Sequence, residues 1–263
     1  MGNSSVTVTL NPLTTLTPTT ASLTLTTASN PYIIGPNGSD TVTIQPASNP
    51  LVDYLPFNQS SGNTVTDLST YNNNGSLLPS TNLPTWQANV PTGFSGDSIN
   101  FNGGGQYVEV NDSTTLDTSG SALTLSFWVD GNSTANSSSR IVSKLLTVGS
   151  GPGFEVTTST NGAIDFTVET SAGSGYIAVP GALTGSWEYI TLVANSGSLT
   201  GYVDANQVAT GSYAAGGGFA NTGNLFLGIR SDLQRPLNGN LLNFQYYDVA
   251  LSSAAVLNLY TQQ

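Results

Sequence analysis

Between residues 122 and 130, Leu123, Leu125, Phe127 and Val129 alternate with Thr124, Ser126, Trp128 and Asp130. A period of two puts the apolar four on one face of a strand. The aromatic and β-branched content suits the middle of a sheet. Trp128 falls on the opposite face, where either a second layer covers it or it is open to a ligand. Similar signals recur at short, regular spacing from Leu51 onward, at residues 51–57, 98–102, 106–110, 140–144, 154–158, 163–170, 176–179, 199–204, 207–212, 225–230 and 240–248. Residues 186–195 are apolar on both faces, as a strand buried from both sides should be. Three hairpins are expected, around Gly103, Gly104 and Gly105, around residues 158–162, and between residues 199–204 and 207–212. Strands in such number with no helix between them predict an all-β fold, a two-sheet antiparallel jelly-roll sandwich. The chain closes on a short C-terminal helix after Ser252, with Val256, Leu259 and Tyr260 placed to pack on the sandwich.

Residues 1–48 read differently. Thr and Ser dominate, and no aromatic precedes Tyr32. Three short alternations, at Val6, Val8 and Leu10, at Leu23 and Leu25, and at Val42 and Ile44, are separated by Pro12, Pro18, Pro31 and Pro36. One reading is a flexible, O-glycosylated stalk. The other is an N-terminal β-arm that pairs as strands with its own domain, the main domain or a neighbouring subunit. The expected division is a Thr/Ser-rich arm at 1–48 and a sandwich at 49–263.

Composition narrows the chemistry. Charged residues are 7% of the 263, and Lys plus Arg number 4 against 15 acids, for a net charge of -11. Arg140, Lys144, Arg230 and Arg235 cannot assemble a basic patch, which disfavours nucleic acid and anionic membrane as partners. With no Cys and no His, disulfides, zinc sites and Cys or Ser-His nucleophiles are excluded as well. So few charges leave little electrostatic stability to lose in acid, which fits an acidic or hot extracellular setting. Residues 1–30 hold no Lys or Arg and no continuous apolar run. Neither a secretory leader nor a membrane span is expected there, and assembly into a virus particle is one route out of the cell.

At this point the residues resemble a family. Tyr54-Leu-Pro-Phe57, Val65-Thr-Asp-Leu-Ser69, Ile99-Asn-Phe101 with Tyr107-Val-Glu-Val110, Leu123-Thr-Leu-Ser-Phe-Trp-Val129, Trp187-Glu-Tyr-Ile190, Gly201-Tyr-Val-Asp204, Leu225 to Gly228, Gly239 to Tyr247 and Ala250-Leu-Ser252 follow one another in order. Together, over about residues 51–263, they are similar to the LamG-like, concanavalin A-like jelly-roll superfamily. The resemblance implies two antiparallel sheets, an adhesive or carbohydrate-binding role, and in some members a structural Ca²⁺ or glycosidase activity. Of three departures, Leu242 and Phe57-Asn58 remove acidic positions and Asp204-Ala-Asn206 replaces a glycine, and together they count against a family-type Ca²⁺ site.

Several residue sets carry candidate chemistry. Glycoside hydrolysis needs two carboxylates about 5–10 Å apart. Asp165 and Glu169, four residues apart on one strand face, are separated by roughly 13 Å, and only Glu155 or Glu188 from another strand could complete a pair. No catalytic residue is assigned. For carbohydrate, an exposed aromatic would stack on the sugar, and Trp86, Trp128, Tyr71, Tyr176 and Tyr213 are the candidates, with Trp187 assigned to the core. For calcium, the one cofactor considered, Asp67, Asn72, Asn73 and Asn74 offer oxygens in one loop, with Asp248 approaching from the far end. The other reading of that loop is an Asn/Gly turn. Seven sequons, at Asn3, Asn37, Asn58, Asn74, Asn111, Asn132 and Asn136, would coat an outer surface with glycan if used.

These features point to a non-enzymatic structural or adhesive subunit, extracellular or on a virion, filament or surface layer. The arm would join copies of the chain by strand exchange. The alternative is a soluble lectin-like module that binds cell-surface glycans.

Overall fold

The computed structural model describes residues 19–24, 39–44, 50–132, 138–147 and 150–262. They fall into two units, Met1–Asn49 and Pro50–Gln263. In the first unit β1 (Thr19–Thr24) and β2 (Ser39–Ile44) pair antiparallel, with Thr19 opposite Ile44 and Thr24 opposite Ser39. The strand expected at residues 6–10, and the sequons at Asn3, Asn37 and Asn136, lie outside the described residues.

The second unit is a two-sheet sandwich. Its strands are β3 (Leu51–Leu55), β4 (Thr64–Val65), β5 (Gly75–Leu78), β6 (Thr85–Gln87), β7 (Ser98–Asn102), β8 (Tyr107–Val110), β9 (Ala122–Asn132) and β10 (Arg140–Thr147). They continue with β11 (Ser150–Thr158), β12 (Ile164–Thr170), β13 (Gly173–Val179), β14 (Thr184–Asn195), β15 (Ser198–Val203), β16 (Asn206–Ser212), β17 (Leu225–Leu227) and β18 (Asn238–Tyr247). The first sheet runs β13-β12-β11-β10-β17-β8-β5-β4, and the second runs β16-β15-β14-β9-β18-β7-β6. All pairings are antiparallel. β18 is shared: β9 lies along one side, while β7 and β3 divide the other, taking residues 238–241 and 244–247.

Alternation sets the core. On the first sheet Val142, Val156, Phe166 and Ile177 stand opposite one another in an inward row. They meet Leu123, Leu125, Phe127 and Val129 of β9, all fully buried. The same inward face carries Lys144, the only Lys of the chain, opposite Phe154. Its ammonium, 0% exposed, is 3.1 Å from Asp112 Oδ1 and 3.6 Å from Asp117 Oδ1. It also donates to the carbonyls of Asn221 and Gly223. These contacts tie two loops to the end of the sandwich and satisfy a charge that could not otherwise be buried.

Two of the three expected hairpins form, β11–β12 and β15–β16. The turn of the second uses left-handed backbone at Asp204 and Ala205, as a tight two-residue hairpin demands. The third is a correction. β7 and β8 belong to different sheets, so Gly103, Gly104 and Gly105 carry the chain from one layer to the other. Gly103 and Gly105 adopt φ of 77° and 83° at this corner. Buried Gln106 holds it by accepting from Asn102 N and donating to Leu83 O.

The second sheet is covered on its outer face too. α1 (Ser253–Thr261) starts at Ser252, whose side chain accepts from Ala255 N. Val256 packs on Val193 and Tyr202, and Leu259 and Tyr260 lie against the main core. Trp128 is therefore 8% exposed. Its ring centroid is 5.5 Å from Phe94, 5.2 Å from Tyr189 and 6.0 Å from Tyr260. Aromatic pairs of this kind add about 0.5–1.5 kcal/mol each beyond buried area.

Candidate functional site

α1 leaves one end of that outer face open. Residues directly opposite on neighbouring strands share a face, and register makes a row of Trp187, Asp130, Asn240, Asn100 and Thr85 across β14, β9, β18, β7 and β6. A shallow depression of about 270 Å³ sits here. Its polar lining is Asn100, Asp130, Asn238 and Asn240, and Gly131, Gly185 and Gly239 leave bare backbone between them. A side chain at Gly239 would place its Cβ 2.7 Å from the Asp130 carbonyl oxygen, so the close strand approach requires glycine there.

The polar groups are joined in a directed network. Asn100 Nδ2 donates to Asn240 Oδ1 at 2.9 Å, and Asn240 Nδ2 donates to Asp130 Oδ2 at 3.3 Å. From the other side Trp187 Nε1 donates to Asn89 Oδ1 at 3.2 Å, and Asn89 Nδ2 donates to Asp130 Oδ2 at 2.9 Å. A carboxylate only accepts, so Asp130 fixes which way the Asn89 and Asn240 amides point. The hydrogens of each amide not used in this chain, and the remaining lone pairs of Asp130, complement groups that both donate and accept. Hydroxyls do so.

The five aromatics singled out in the sequence are dispersed. Trp128 and Tyr213 are buried at 8% and 7% exposure, so neither is a stacking platform. α1 and Phe94 cover the first, and the Tyr213 hydroxyl donates to Ser121 O. Trp86 stands opposite Ile99 on the inward row, half-buried at the sheet edge, with its indole N–H on Gly62 O. Tyr71 packs on the core. Tyr176 alone is open, 66% exposed, on the outer face of the first sheet. Trp187, assigned to the core from sequence, packs against it while half-buried beside Asp130.

In the loop considered for calcium, the residues do not fit a cation. Asp67 Oδ1 accepts from Tyr54 N and Ser69 N, and Oδ2 from Ser69 Oγ and Asn73 N. Four donors thus point their hydrogens where a metal would need lone pairs. Asn74 Oδ1 accepts from Asp67 N, and Asn73 Oδ1 is taken by Ser113 and Thr115. Asn72 is an exposed left-handed turn residue, and burial pushes the Asp248 carboxyl up. Among the described residues no group of three or more acids is arranged to hold a metal.

The acidic residues considered for hydrolysis are also accounted for. Glu155 lies opposite Thr167, between Asp165 and Glu169 of the neighbouring strand. It accepts from Ser143 Oγ at 2.9 Å and sits 3.0 Å from Arg140 Nε. Burial, then the Glu155 charge, raises the Glu169 carboxyl. Glu188 is raised by burial, and Asp204 beside it adds to the shift. Of the sequons, Asn58 and Asn111 are exposed, Asn74 is exposed with its amide oxygen engaged, and Asn132 ends β9 opposite Thr184.

A family model described as the concanavalin A-like lectin/glucanases superfamily matches residues 102–257. No curated protein matches the sequence. Among solved structures the fold is similar to the binding domain of Paraclostridial Mosquitocidal Protein 1, with TM-score 0.63, 18% identity, and coverage of 81% of this chain and 52% of that one. It is also similar to the botulinum neurotoxin serotype D binding domain, with TM-score 0.62, 14% identity and coverage of 81% and 51%. A third is the binding domain of botulinum neurotoxin DC in complex with SialylT, with TM-score 0.59, 16% identity and the same coverages. The chain thus spans about half the length of these structures.

Proposed function

The chain belongs to the concanavalin A-like lectin/glucanases superfamily, and on that premise we propose that it is a non-enzymatic carbohydrate-binding module of an extracellular surface. The sugar lies on the Trp187–Asp130–Asn240–Asn100 row. The observation that carries this reading is the directed network, in which Asp130 and the amides of Asn240 and Asn100 line an open depression and Asn89 links Asp130 to an indole. Sugar hydroxyls would complete the network, and an apolar ring face would lie toward Trp187. Two charge-assisted hydrogen bonds and one ring contact, each worth about 1–2 kcal/mol net, correspond to a single-site Kd of ~1 mM. Such weak sites act through multivalency on a surface. The reading needs no metal, so EDTA leaves binding unchanged. It is tested by a glycan array followed by titration of the best ligand into wild type, Trp187→Ala and Asn240→Ala. Binding that survives both substitutions counts against it.

A second reading concerns residues 1–49. A two-stranded ribbon such as β1–β2 is marginal alone, and its alternating Thr content suits pairing with further strands. Its role is then to join copies of this chain into a virion, filament or surface layer. Light scattering of the full chain and of residues 50–263 tests it, and equal masses for the two would remove this role. No helix among the described residues is long and apolar enough to cross a membrane.

A further inference from the structure

We infer that the Asp130 shelf accepts only uncharged sugars, presenting neighbouring hydroxyls, and turns away glycans that carry a carboxylate or sulfate at the contact. The inference rests on the glycan-binding reading and assigns its ligand class. Its basis is the direction of the network. Asn89 and Asn240 both aim their Nδ2 groups at Asp130 Oδ2, and their oxygens are taken by Trp187 Nε1 and Asn100 Nδ2. The acceptor left for a ligand at the centre of the shelf is therefore a carboxylate, flanked by amide N–H donors. A hydroxyl can donate to Asp130 while accepting from Asn240 or Asn100. A carboxylate or sulfate can only accept, and it would be brought against a like charge.

No Lys or Arg lines the depression. Lys144 is buried between Asp112 and Asp117, Arg140 is held by Glu155, and Arg230 by Asp232. Of the four basic residues only Arg235 forms no ion pair among the described residues; it is exposed, three residues before Asn238, and does not line the depression. A net charge of -11 adds a long-range barrier to anions at low salt. Gly185, with nothing within 4 Å of where a Cβ would stand, leaves one edge of the depression open to a ring.

The experiment uses the full chain and matched oligosaccharide pairs on an array: N-acetyllactosamine and its 3′-sialyl form, and neutral and sulfated forms of the same disaccharide. Isothermal titration of the strongest pair follows, at low and high NaCl. The expected result is that the neutral member binds at least ten-fold more tightly, about 1.4 kcal/mol. Asp130→Asn should narrow that gap, and 0.5 M NaCl should narrow it in wild type. Asn240→Ala, checked for an unchanged melting transition, should lose the neutral ligand. If the anionic member of a pair binds as well as the neutral one through the same residues, the ligand class is overturned while glycan binding stands. If no member of any pair binds, both the class and the glycan-binding reading fall.

Discussion

Asp53 and Tyr246 stand opposite each other across β3 and β18, both fully buried inside the sandwich, and neither carboxyl oxygen of Asp53 has a hydrogen-bond partner. Burial drives the Asp53 carboxyl well above its ordinary range, and the neighbouring Asp67 charge pushes it further. Above about pH 4, where the unfolded chain releases this proton, the folded protein therefore binds it the more strongly of the two. That contribution to stability is fully present in acid and is lost as pH rises toward and through the folded-state value, at about 1.4 kcal/mol per pH unit. Burial raises Glu169, Glu188 and Asp248 as well, with the same sign. Urea midpoints should be higher at pH 4–5 than at pH 8, the reverse of ordinary acid denaturation. Asp53→Asn should flatten much of the slope and stabilise the protein at pH 8. A midpoint that falls in acid for wild type would contradict this account.

The two tryptophans of the outer face should respond differently. Trp128 packs on Phe94, Tyr189 and Tyr260, so Trp128→Ala should cost about 3–5 kcal/mol, visible as an early unfolding transition. Trp187 is half-buried against the same core, so Trp187→Ala should cost less, about 1–2 kcal/mol, and should remove sugar binding. The contrast is read from thermal melts and titrations of the same two proteins.

Removing Lys144 should be among the most damaging single changes. Lys144→Ala leaves Asp112 and Asp117 without their counter-charge and opens a cavity, for a loss of about 3–5 kcal/mol. Lys144→Met restores the volume without the charge and should recover only part of it. Chemical denaturation of the three proteins at one pH gives the comparison.

The sheets close on each other at β13 and β16, and glycine makes this possible. A Cβ at Gly175 would lie 2.4 Å from Ser212 O and 2.5 Å from Tyr213 Cβ. Gly175→Ala should therefore destabilise by about 1–3 kcal/mol. Gly120→Ala has nothing within 4 Å and should be neutral. Equal melting temperatures for the two would show that the edge relaxes freely.

Much of this fold is legible along the chain because period-two alternation reports burial directly. The β9 face of Leu123, Leu125, Phe127 and Val129 is buried as the pattern implies, and β14 is buried on both sides from Tyr189 to Ala194. What alternation leaves undetermined is register and the covering layer. Trp128 and Trp187 occupy equivalent outward positions, and α1 with Phe94 buries one of them. Asp130, Asn240 and Asn100 form one row only because three strands far apart in sequence are aligned to the residue. The run of glycines at 103–105 has the composition of a hairpin, and buried Gln106 makes it a crossing between layers.

The sharing of β18 has a consequence for how the protein is made. β3, the first strand of the sandwich, finds its only strand partner among the described residues at 244–247. On the ribosome, residues 51–55 must wait for almost two hundred further residues before that ladder can form. During that interval a hydrophobic edge is unpaired, which exposes the nascent chain to aggregation. Long-range closure of this kind folds slowly, so the last strand synthesised commits the sandwich.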